Sequence, residues 1–132
     1  FKRIEAEKNL KRRRSLFQTL VIGLVSHAHA EEQVLYHSLQ KRPDERPDAL
    51  EMIEEHRLAE REIHAMATVN LENDRWTAMM KVLRETTEHH FEEEEEKVFP
   101  EAEKLYTRKE KQQLGDEFLV RMQEIKEKLE RS

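Results

Sequence analysis

Cysteine is absent from the chain, and with it go disulfides and thiolate metal sites; any metal held here must be held by histidine and carboxylate. The absence also fits a reducing cytoplasm, the expected location. Turn-formers are scarce as well, with two glycines and three prolines in 132 residues, too few for a chain of many strands. Long hydrophobic runs are missing: the longest, "LVIGLV" at 20–25, is far short of the roughly 20 residues that span a bilayer, and no signal peptide is visible. Nor is there an excess of positive charge. The formal net charge is −5, and "KRRR" at 11–14 is one basic cluster amid abundant acid, so neither nucleic acid nor a membrane is an expected partner.

What is present is charge and periodicity. Charged residues make up 40% of the chain and hydrophobic ones 36%, the composition of a helical bundle in one domain, 1–132. Apolar Leu16, Leu20, Leu24, Val34 and Leu35 recur at helical spacing and predict a helix from about residue 10 to 40. Residues 1–8, with Phe1 and Ile4, read as the end of a first helix. Pro43 and Pro47 enforce a turn, and Asp48 with Glu51 resembles a capping box opening a helix over about 49–69, with Leu50, Ile53, Ile63 and Ala67 on its stripe. After "NLEND", a third long helix runs from about Asn73 through Trp76, Met80 and Leu83 towards Leu105, bending near Pro100. Thr107 with Glu110 looks like another capping box, ahead of an amphipathic C-terminal helix carrying Leu114, Phe118, Met122, Ile125 and Leu129. The expected fold is all-α, an antiparallel up-and-down bundle of about residues 1–106 plus a helix over about 108–131.

Sliding the chain by 63 residues lays "HAHAEEQVLY" (27–36) on "HFEEEEEKVF" (90–99). Both copies read His-x-x-x-Glu-Glu followed by an apolar pair. Residues four apart on a helix differ by about 40° and rise about 6 Å, so each His and Glu share a face. His27 and Glu31 fall in the stripe Leu20, Leu24, His27, Glu31, Val34, Leu35. His90 and Glu94 fall in Met80, Leu83, Thr87, His90, Glu94, Val98. His29, about 200° around from His27, is expected to face water or a neighbour. The helix between the copies shows the same arrangement, with His56 and Glu60 between Ile53 and Ile63.

Taken singly, each pair has a plain explanation. A His-Glu pair at i, i+4 is often a surface pair, and a glutamate inside "EEEEE" is usually solvated. Three such pairs, each in phase with an apolar stripe, are another matter, because burying carboxylates unpaired costs several kcal/mol per ion, a cost that a cation removes. Imidazole with carboxylate suits iron, manganese or zinc. The spacing is not the Glu-x-x-His of ferritin-like centres.

The repeated "H-x-x-x-E-E", the "FP" at Phe99 and Pro100, and "EEH" at 54–56 resemble the hemerythrin-like, HHE cation-binding family over about residues 1–106. The resemblance implies a four-helix up-and-down bundle around a non-haem di-iron centre bridged by two carboxylates. It assigns His27, Glu31, His56, His90 and Glu94 as metal ligands, with Glu31 and Glu94 bridging; Glu60, by its phase, is added as a ligand or outer acceptor. The family's first helix usually supplies a histidine as well, and residues 1–26 contain none. A first helix that is incomplete at its start uncovers one side of the core and invites homodimerisation. The implied partners are dioxygen, nitric oxide or peroxide, for binding, sensing or iron handling. The alternatives are a di-iron or di-manganese peroxidase or oxidase using the same site, and a metal-free helical interaction module.

Overall fold

The computed structural model describes residues 1–132 as helices joined by short turns, without strands. Helix α1 is Lys2–Ala6. Helix α2 is Leu10–Glu31, prolonged by a π-helical turn, Glu32–Tyr36, and a last α-turn, His37–Leu39. Helix α3 is Arg46–Met66. Helix α4 is Asp74–Glu93, prolonged by a second π-helical turn, Glu94–Val98, and by Phe99–Leu105. Helix α5 is Arg108–Arg131. No helix is long and apolar enough to cross a membrane.

Local chemistry explains most of the helix starts. Asn9 accepts from the Arg12 amide at 3.1 Å and Asn73 from the Arg75 amide at 2.8 Å, each satisfying an N–H that has no intrahelical acceptor. The expected box at Thr107 forms in full, with the Glu110 amide donating to the Thr107 hydroxyl and the Thr107 amide to the Glu110 carboxylate. The box expected at Asp48 and Glu51 does not form. Helix α3 begins earlier, at Arg46, with Pro47 in its first turn, where the missing N–H is no loss. Its buried face carries Ala49 and Met52, leaving Leu50 and Ala67 exposed.

Two apolar clusters form the core. The first gathers Ile4, Ile63, Met66, Leu71, Trp76, Met80 and Leu83, with Leu16, Leu20 and Leu24 against it. The second gathers Tyr36, Leu39, Ala49, Met52, Val98 and Tyr106. Helices α2 and α4 pass from the first cluster to the second and α3 passes the other way, so the middle of all three helices lies between the clusters. Helix α5 packs along α2, and its stripe of Leu114, Phe118, Met122, Ile125 and Leu129 is half-buried. One arginine of "KRRR" belongs to this scaffold. Arg13 is buried, lies 4.6 Å over the Trp76 ring, and donates to the Leu71 carbonyl at 3.0 Å.

The irregular turns occupy corresponding places in the two sequence copies, each beginning one residue from, or at, the copy's first glutamate. Such insertions are frequent at functional sites. In α4 the turn is followed by Pro100, whose ring clashes with the carbonyl four residues back in a regular helix. In α2 no proline follows closely, and packing must supply the cause.

Candidate metal centre

Between the two clusters the core turns polar. Glu31 and Glu94 are 3% and 1% exposed, and His56 and His90 are 6% and 7%. Helix α2 brings Glu31, α3 brings His56, and α4 brings His90 and Glu94. One donor atom from each lies within 4.8 Å of the others. The two imidazoles point at each other, Nε2 to Nε2 at 3.0 Å. Both cannot carry a proton at that separation, so at least one lone pair is aimed into the cluster. His56 Nε2 is also 3.3 Å from Glu31 Oε1, and His90 Nε2 touches Glu94 Oε1.

The far sides of these rings are held by other carboxylates. His90 Nδ1–H donates to Glu55 at 3.0 Å, and His56 Nδ1 lies 3.4 Å from Glu32. An imidazole anchored through Nδ1 presents Nε2 as a lone-pair donor, the arrangement in which histidine ligates metals. Sequence phase singled out neither Glu32 nor Glu55. The available signals were the second glutamate of His-x-x-x-Glu-Glu and the glutamate before His56. The equivalent signal in the other copy misleads, since Glu95 is exposed.

His27 and Glu60 stand apart from this group of four. His27 Nε2 is 3.3 Å from Glu31 Oε2, but its side chain is 39% exposed, edge-on between Phe91 and Phe118 with ring centroids 5.9 and 5.2 Å away. Glu60 turns to His29, which indeed meets a neighbour; both side chains are partly exposed. A cavity of about 500 Å³ opens beside the cluster, with His27, His56 and His90 among its walls and apolar Leu24, Leu58 and Val82 completing it.

A cation is what this donor set lacks. Glu31 Oε1 and both Glu94 oxygens are buried without a hydrogen-bond partner, a state that costs free energy unless something compensates. Charge in the metal-free protein is redistributed accordingly. Burial would raise the Glu31 carboxyl, but the imidazoles of His27 and His56 outweigh it and hold Glu31 well below the usual carboxylate range. Burial, reinforced by Glu31 and opposed by His90, pushes Glu94 up to about 7. Burial pulls His56 down, yet Glu31 and Glu32 outweigh it and raise it to about 9. Protons thus do part of the work of a cation, and a metal would displace them. The nitrogen and oxygen donors fit a divalent first-row metal.

Comparison with curated proteins and with solved structures gives no match. Residues 2–102 match the family model of the hemerythrin HHE cation binding domain, and the chain belongs to that family.

Proposed function

We propose that the chain binds two non-haem iron ions and uses them to bind or sense dioxygen, nitric oxide or peroxide, or to handle iron. The observation that carries the metal reading is the buried quartet Glu31, His56, His90 and Glu94, in which Glu31 Oε1 and both Glu94 oxygens are buried without a hydrogen bond. Two features support a pair of ions. The two oxygens of Glu31 face different imidazoles, His27 and His56, and Glu94 has two unpartnered oxygens; both carboxylates are thus disposed to bridge. His27 would serve the ion nearer the surface, and His56 and His90 the buried one. Bound ferrous iron with an open coordination position supplies affinity for diatomic ligands and reactivity towards peroxide. The protein's own contribution is to hold the imidazoles through Glu32 and Glu55, exclude bulk water with the two apolar clusters, and leave the cavity as the route in.

Anaerobic loading with ferrous iron, a count of metal per chain, and a near-ultraviolet spectrum after admitting air test this reading. Two irons per chain and an oxo-bridged iron band are expected, both lost in His90→Ala and kept in His89→Ala, whose imidazole is exposed. Equal losses in the two variants, or no uptake by the wild type, would sink it. Excess peroxide separates a carrier or sensor, which reacts stoichiometrically, from an enzyme, which turns over.

A further inference from the structure

Tyr36 is a buried group beside the cluster that the proposed site leaves without a role. It is 0% exposed, and its hydroxyl has no hydrogen-bond partner. The ring packs in the second apolar cluster with Leu39, Met52 and Val98, and its centroid lies 6.0 Å from that of His56, edge-on. Phenylalanine would fill that space equally well. A buried hydroxyl without a partner is unfavourable, so packing alone does not explain why the residue is tyrosine.

We propose that the Tyr36 hydroxyl is a positioning donor for the Glu94 carboxylate when the cluster holds its cation, a role that rests on the metal reading above. Glu94 is the carboxylate in need of one. Each oxygen of Glu31 faces an imidazole, whereas Glu94 meets only one imidazole, that of His90, and otherwise faces the Glu31 carboxylate; both its oxygens are buried without a well-formed hydrogen bond. An ionised carboxylate has about four acceptor positions, and a bridging one still needs a donor to fix its rotation. The phenol lies within reach of Glu94, and in its ordinary neutral form it has one O–H to donate. The π-helical turn Glu32–Tyr36 supplies the register. A regular helix places residue 35 over Glu31, and the wider turn places residue 36 there instead.

The test is Tyr36→Phe in the full chain, with cobalt(II) as the probe. Without metal, the thermal midpoint of the variant is expected to be unchanged or higher, because the hydroxyl lost had no partner. With cobalt(II), affinity is expected to fall about 10- to 100-fold, the usual cost of losing an outer hydrogen bond to a ligand, with a changed d–d spectrum. In a double-mutant cycle, Tyr36→Phe is expected to add less than about two-fold to the loss caused by Glu94→Gln. Wild-type iron protein is expected to show no tyrosinate-to-iron band in the visible. Unchanged cobalt(II) affinity in Tyr36→Phe, equal destabilisation with and without metal, or additivity with Glu94→Gln would overturn the proposal while leaving the metal reading standing. No cobalt(II) or iron binding by the wild type would overturn both.

Discussion

The two copies of His-x-x-x-Glu-Glu begin from nearly the same letters and end in different chemical states. In the copy on α4, His90 is buried and is held by Glu55 from α3. In the copy on α2, His27 is part-exposed and is flanked by Phe118 from α5. Glu31, between two imidazoles, is held acidic, whereas Glu94, facing one imidazole and another carboxylate, is raised to about 7. Tyr36 is buried and its counterpart Phe99 is exposed. The motif therefore specifies which atoms can ligate, and the neighbouring helices specify how they are charged and how accessible they are. Helix α3 makes most of the difference, because it inserts His56 towards Glu31 and Glu55 towards His90.

Breaking the copies one at a time is the strongest test of that asymmetry. His90→Ala removes a donor from the buried quartet and leaves Glu55 and Glu94 without their imidazole; iron uptake is expected to fall below one ion per chain. His27→Ala removes a donor outside the quartet, and uptake is expected to drop from two ions to about one, with the remaining ion bound within about ten-fold of the wild-type affinity. Elemental analysis after anaerobic loading and desalting reads both. Equal stoichiometry in the two variants would mean that the copies are equivalent despite their different burial.

Much of this arrangement was legible as helical phase. His27, Glu31, His56, His90 and Glu94 all fall on stripes in steps of three and four, and the helix starts near Asn73 and Thr107 follow from local sequence alone. The parts that were not legible depend on what lies across a helix interface. Glu60 has the right phase on α3, but His29 of α2 faces it and draws it aside. Ala49 and Met52 add less to an apolar stripe than Leu50, yet the first two are packed into the second cluster and the third is exposed. The π-helical turn in α2 has no proline nearby to announce it, and it is this turn that moves Tyr36 inward in place of Leu35. His27 reads as inward by phase, and only the positions of α4 and α5 show that its side chain is partly open.

The raised carboxylate on one copy gives the metal-free protein a characteristic pH dependence. Glu94 titrates near 7 when folded, above its ordinary 4.5, so the folded chain holds that proton more tightly and stability falls as pH rises from 4.5 to about 7. His56, raised from 6.5 to about 9, contributes stability that is complete below 6.5 and is lost as pH climbs to about 9. Glu31, held below 4.5, contributes stability that is present above 4.5 and fades as pH drops below it. The thermal midpoint of the metal-free protein is therefore expected to be highest near pH 4.5 and to fall by roughly 5–10 °C from there towards pH 9. Glu94→Gln, which mimics the protonated acid, should flatten the arm between 4.5 and 7. Divalent metal reverses the trend, because its ligands must shed their protons; the loaded protein is expected to gain stability over the same window. Calorimetry at four pH values, with and without zinc, decides it, and parallel curves for the two forms would contradict the assignment of these groups as ligands.

The smallest effect expected concerns the cover over His27. Phe118 of α5 is half-buried, with its ring 5.2 Å from the imidazole. Full burial of a phenylalanine makes its loss to alanine cost about 3–5 kcal/mol; at half burial, Phe118→Ala is expected to cost about 1–2 kcal/mol, read by urea unfolding. Its more specific consequence lies in kinetics. Release of metal to a chelator is expected to be biphasic in the wild type, with the faster phase from the His27 side. Phe118→Ala should speed that phase a few-fold and leave the slower one, from the His56 and His90 side, unchanged. Acceleration of both phases together would mean that α5 supports the whole bundle and does not merely cover one copy, and the contrast between the copies would then belong to α3 alone.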